Sequence, residues 1–269
     1  ARQHGCMVCV HAENHGMISW MGKKLVEKGL TAPRFHVPSH PRLAEAEAIN
    51  RAIAMAGLVD QPLMIFHVST TEGATTIRRW QGEGAKVFGE TCTQYLTLTA
   101  QDLDKPGIEG GMWICSPPLR EPADQDALWR ALADGTLATV SSDHAPYRMD
   151  ETGKLAKGPS PSFKEMANGM AGLGLRLPVL FDAMVSRGGL GLEAFVRLTA
   201  GEPARIYGLA PKKGAIAIGA DADLVVWDPT RKTRITHQTT HDLSGYSAYA
   251  GREITGWPSH VVRRGAPIV

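Results

Sequence analysis

The feature that most restricts how this chain can fold is a rhythm. Four short apolar runs recur along the first 141 residues: residues 6–11 (CMVCVH), 63–67 (LMIFH), 86–91 (KVFGET) and 137–141 (LATVS). Each has the length of a buried strand, and helical sequence separates them. Between the first two, Leu43, Ala46, Ile49, Ile53 and Ala56 recur at steps of three and four. Pro41 suits the first turn of that helix and Gly57 its stop. Residues 72–81 and 125–133 read as further helices, the latter ended by Gly135. Strands alternating with amphipathic helices predict an α/β fold with a parallel sheet.

The chemistry-bearing residues sit where such a fold binds ligands, beyond the carboxyl ends of the strands. VCVHAEN ends in His11, MIFHVST delivers His67, and TVSSDHAPY carries Asp143 just past the last apolar run. A single histidine after a strand is most often a packed core residue. Two histidines and an aspartate on three different strand ends favour a metal site, because imidazole and carboxylate suit zinc and related divalent ions in hydrolytic centres. The other histidines are weaker candidates. His36 and His40 lie in a Pro-bounded loop, His15 and His144 suit a supporting hydrogen bond, and His4, His237, His241 and His260 read as surface or structural residues.

Composition excludes several classes. Hydrophobic residues make up 43%, charged residues 21%, and the net charge is +2, with no basic run beyond two or three residues. Nucleic-acid and membrane-surface binding have no support. No apolar run approaches the roughly 18 residues of a membrane span. Four cysteines, at 6, 9, 92 and 115, do not make a disulfide scaffold in a chain of 269 residues. They are expected as buried thiols in a reducing cytoplasm. Cys6 and Cys9 form a C-x-x-C, but on a strand side chains three apart point to opposite faces.

Residues 153–162 form a Gly/Pro/Ser-rich loop expected at the surface. Residues 176–187, 192–200 and 203–208 look helical. After Gly214 the character changes: GAIAIGADADLVVWDP and SHVVRRGAPIV read as short strands and turns. Residues 1–210 are expected to carry the metal and substrate site, and 211–269 to form a β-rich segment.

HAEN (11–14), FHVSTTEG (66–73), ETCTQYL (90–96), CSPPLR (115–120), LWRALADGTLATVSSDHAP (128–146), NGMAG (168–172), LTAGEPARIYGL (198–209) and GADADLVVWDP (219–229) together resemble the dihydropyrimidinase/hydantoinase family of metal-dependent amidohydrolases. The resemblance runs over essentially the whole chain. It implies a TIM-type (β/α)8 barrel with a small β-sandwich side domain, a centre of two divalent metals, commonly zinc, and hydrolysis of the amide bond in cyclic ureides and imides such as dihydropyrimidines and hydantoins. Carried over, His11 and His67 resemble the histidines of the second metal. Asp143 resembles the last-strand aspartate, ligand of the first metal and general base. Ser116 and Asn168 resemble the positions whose backbone groups hold the substrate ring. The family also implies a cytoplasmic homo-oligomer, commonly a tetramer.

The family pattern contains parts that this sequence lacks. An H-x-H pair, a carboxylated lysine bridging the metals and a tyrosine supporting the oxyanion are expected before His11. Only ten residues precede it, and H-x-H occurs nowhere in the chain. Four strand candidates are half of a closed barrel. The chain is therefore expected to be the C-terminal part of a longer enzyme, and to turn over little on its own. Two alternatives stay open: a non-catalytic scaffold of the same family, from which retention of His11, His67 and Asp143 argues away, and an allantoinase-type amidohydrolase.

Overall fold

The computed structural model describes residues 1–268. Val269, the last residue of the stretch expected as strand, lies outside the described residues. Each of the four apolar runs forms a strand: β1 (Val8–Val10), β2 (Leu63–Ile65), β3 (Val87–Cys92) and β4 (Thr139–Ser141). They assemble in the order β1-β2-β3-β4, parallel throughout. Sequential neighbours in one direction put all four carboxyl ends on the same edge of the sheet, which is what brings the strand-end residues together.

The helices between the strands follow from caps and apolar stripes. Asn14 accepts a hydrogen bond from Met17 N (3.1 Å) and starts α1 (His15–Glu27), an element the sequence reading did not anticipate. α2 (Arg42–Leu58) buries Ala44, Ala48, Ile49 and Ile53 on one face. It runs one residue past Gly57, and Leu43, expected on its apolar face, is 68% exposed. Thr70 caps α3 (Thr71–Gly82) by accepting from Gly73 N at 3.0 Å. α4 (Pro122–Ala133) has proline in its first turn and buries Ala127, Leu128, Ala131 and Leu132. α5 (Leu173–Phe181) follows the long loop after β4. Ile49, Ile53, Ile65, Ile77, Leu128, Leu132 and Val140 are among the residues of one continuous apolar cluster. Each fully buried side chain of this size contributes about 1.5–3 kcal/mol.

A separate antiparallel sheet, order β5-β6-β7, closes the chain: β5 (Leu224–Arg234), β6 (Glu253–Arg263) and β7 (Ala266–Pro267). It packs on α5 through aromatic contact. The Phe181 ring stacks on Trp227 with centroids 4.3 Å apart and planes 7° from parallel. Gly256 is required beneath it, since a Cβ there would lie 2.2 Å from Phe181 Cδ1.

Four expectations are corrected here. Cys6 and Cys9 are exposed, and only Cys92 and Cys115 are buried thiols. The run expected as a buried strand from Cys6 forms β1 only from Val8, and among the described residues no strand pairs with its outer edge. The Gly/Pro/Ser-rich loop lies at the surface only in part, because Lys154 within it is fully buried. His36 and His40, expected in a Pro-bounded loop, bracket a single helical turn, His36–Ser39, and both are buried.

Candidate metal and substrate site

β1, β2 and β4 deliver their strand-end residues to one edge. His11 lies one residue past β1, His67 and Asp143 two residues past β2 and β4. His67 and Asp143 both adopt left-handed backbone, with φ of 41° and 43°. Non-glycine residues enter this region at a cost of about 1–3 kcal/mol and concentrate at functional sites. Here the turn swings each side chain off its strand toward the sheet edge.

His11 Nδ1 and His67 Nε2 stand 2.9 Å apart, with ring planes 69° from parallel. Two imidazole nitrogens this close share either a proton or a cation. Burial, followed by the charge of His11, lowers the His67 pKa to about 4, so at neutral pH its ring is an uncharged donor. His11 is held above its ordinary range, chiefly by the Glu13 carboxylate, whose Oε2 lies 3.4 Å from His11 Nε2. The Glu13 side chain is only 2% exposed and neither oxygen has a hydrogen-bond partner. Asp143 is exposed at the edge; partial desolvation raises its carboxyl, and the charge of His11 opposes that rise.

A cation fits this donor set in kind: two convergent imidazoles, a carboxylate past the end of β4 on the same edge of the sheet, and an orphaned buried carboxylate beside His11. It does not fit in number. Among the described residues no group of three or more His, Cys, Asp or Glu side chains gathers closely enough to hold a metal ion.

The expected ring-holding residues lie on two loops laced to the Asp143 segment. Ala145 N donates to Met170 O at 3.0 Å, and Gly169 N donates to Ile114 O at 3.0 Å. The stretches around Asp143, Asn168 and Ser116 therefore form one connected rim. Gly169 is the tight point: a Cβ there would sit 2.6 Å from both Cβ and O of Ala145. Ser116 is half-buried and its Oγ lies 3.3 Å from His40 Nε2, while Asn168 is exposed. His144 faces away from the metal candidates. Its Nδ1 accepts from Gly172 N (3.1 Å) and Leu173 N (3.2 Å), capping α5.

Beneath the rim runs a polar network that sequence reasoning missed. The fully interior Glu45 accepts from Ser69 N (2.8 Å), Thr70 N (3.2 Å) and Ser69 Oγ. Arg120 reaches Glu45 at 3.5 Å and donates to Ser69 Oγ (3.0 Å) and to His40 O (2.7 Å). Burial raises the Glu45 carboxyl against the lowering effect of Arg120. Glu13 lies within HAEN, and its position two residues past His11 is the sequence signal that could have singled it out.

The parallel α/β sheet with histidine and aspartate at its strand ends is one that known proteins share, and comparison with them makes the assignment: the chain belongs to the amidohydrolase family, which it matches over residues 1–268. Within that family it is 42% identical over 269 residues to a D-hydantoinase of Streptomyces coelicolor and 40% identical to a D-hydantoinase of Rhizobium radiobacter. All of this chain is covered in both cases, against 57% and 58% of the relatives. The crystal structure of a dihydropyrimidinase from Brevibacillus agri superposes with a TM-score of 0.95 at 38% identity, covering 100% of this chain and 57% of that one. The chain thus spans somewhat more than half the length of the relatives it matches.

Proposed function

We propose that the full-length protein hydrolyses the amide bond of cyclic ureides and imides, with dihydropyrimidines and hydantoins as the substrate class. The observation that carries this reading is the pairing of His11 with His67 at 2.9 Å on adjacent strand ends of a sheet whose last strand supplies Asp143. Similarity to proteins named D-hydantoinase and dihydropyrimidinase supports it. In this reading the parallel sheet is half of a TIM-type barrel, residues 1–210 carry the site, and residues 211–269 belong to a side domain. His11, His67 and Asp143 would contribute ligands to divalent metal, zinc by the chemistry of the donors, without completing its coordination by themselves.

A bound cation would supply acidified water and a polarised ring carbonyl. The chain's own residues account for the rest. Neutral His67 offers a nitrogen lone pair without first losing a proton. Asp143, its carboxyl raised by desolvation, takes the proton of the attacking water and returns it to the departing ring nitrogen. Backbone groups of Ser116 and Asn168 fix the ring edge, so that the carbonyl to be attacked lies within reach of the water.

The test is turnover of dihydrouracil and of 5-substituted hydantoins by the full-length, zinc-supplied protein. Ring opening is expected, and Asp143→Ala should lower kcat by at least about 10²-fold. Absence of turnover on the whole panel would overturn the reading. The 269-residue chain alone is expected to turn over neither ring.

A further inference from the structure

Lys154 is a fully buried charge on the long loop after β4. Its loop folds onto itself: Lys154 N donates to Arg148 O (2.8 Å), Leu155 N to Asp150 O (3.0 Å), and Gly153 leaves no room for a Cβ, which would lie 2.2 Å from Arg148 O. From that turn the Lys154 side chain runs inward and is fully buried. Its Nζ donates to Ile114 O (3.0 Å) and to Ala167 O (2.9 Å). Ile114 lies two residues before Ser116, and Ala167 immediately precedes Asn168. Ile114 O accepts from Gly169 N as well, so one carbonyl joins the ammonium and both loops.

A buried ammonium is a poor choice for stability. Burial lowers the Lys154 pKa to about 8, and among the described residues no carboxylate contributes to holding its charge. Apolar side chains of similar size commonly replace buried charges at no loss. What an apolar side chain cannot do is donate to two carbonyls at once. We propose that Lys154 is a positioning residue that clamps segments 114–116 and 167–168 at the separation a cyclic amide requires. The inference rests on the reading of Ser116 and Asn168 as ring-binding. It adds the group that sets the distance between them. The backbone of each segment cannot adjust to the ring by side-chain rotation, so the spacing of the two segments is the specificity element.

The test uses two variants of the full-length protein, Lys154→Met, which keeps length and loses all donors, and Lys154→Gln, which keeps two N–H donors without charge. Lys154→Met is expected to raise KM for ring substrates about tenfold or more while kcat and metal content stay within about threefold, and Lys154→Gln to recover part of the loss. Peptide-resolved hydrogen exchange provides a readout independent of turnover. The amides of 114–118 and 167–171, Gly169 above all, should exchange about tenfold faster in Lys154→Met, with α2 unchanged. Unchanged exchange in those two segments, or an equal rise across the whole chain, would overturn the clamp. So would a KM within about twofold of wild type. If the wild-type protein opens no ring, the proposed function falls, and the exchange pattern still decides whether Lys154 holds the two segments together.

Discussion

Removing Glu45 offers the sharpest test of how the site is supported. Glu45 is 1% exposed and lies opposite Arg120, itself 5% exposed. It also receives the N–H groups of Ser69 and Thr70, the residues that follow His67 at its left-handed turn. In Glu45→Leu, Arg120 keeps its charge in the interior without a counterion, and two backbone donors lose their acceptor. Breaking one side of a buried ion pair costs about 3–5 kcal/mol. For a chain near this size that corresponds to a drop in Tm of roughly 10 °C. Urea denaturation followed by circular dichroism gives the free energy. A cycle with Arg120→Met gives the coupling, and the double variant should recover about 1–3 kcal/mol of the summed losses because it strands no charge. Strict additivity, or a loss below about 1 kcal/mol for Glu45→Leu, would refute the reasoning that this pair anchors the His67 turn.

Lys154 predicts a pH signature. Its pKa falls from the ordinary 10.5 to about 8 on folding, so between those values the unfolded chain binds more protons. Stability should rise with pH across that window by up to about 3 kcal/mol from this group, and the part gained is lost again as pH falls back through it. The difference between wild type and Lys154→Met in denaturation at pH 7.5 and 10.5 isolates the effect; a difference independent of pH would count against it. Gly169→Ala should push the Ala145 segment away, since its Cβ would meet Ala145 at 2.6 Å. About 1–3 kcal/mol of stability and most of the activity are expected to go, as read by thermal melts and ring opening. His67→Ala should lower bound zinc, measured by elemental analysis after dialysis, while His144→Ala should leave zinc unchanged and cost about 0.5–2 kcal/mol through the lost α5 cap.

Much of the α/β portion was legible because its signals are local. The four apolar runs end in turn chemistry, and the stripe Ile49–Ile53 with its neighbours marks a helix whatever surrounds it. The strand-end positions of His11, His67 and Asp143 followed from the same runs. His40, Glu45, Arg120 and Lys154 were not legible. Each looks like an ordinary solvent-facing residue, and each is buried by contacts 40 or more residues away in sequence, such as Lys154 with Ile114 and Arg120 with Glu45. The burial expected for Cys6 and Cys9 failed for a related reason. A strand's composition does not tell whether a neighbour covers it, and β1 is an edge strand.

Taken alone, the sequence determined the alternation of strands and helices, the placement of histidine and aspartate at strand ends, and the family. These depend on residue type and spacing within a few turns of chain. Tertiary structure alone decided that His11 and His67 face each other at 2.9 Å, that Asp143 stays at the open edge, that His144 caps a helix and binds no cation candidate, and that a loop lysine reaches the interior to join Ile114 and Ala167. Such facts depend on which distant segments the parallel strand order brings side by side, and no local preference encodes that distance.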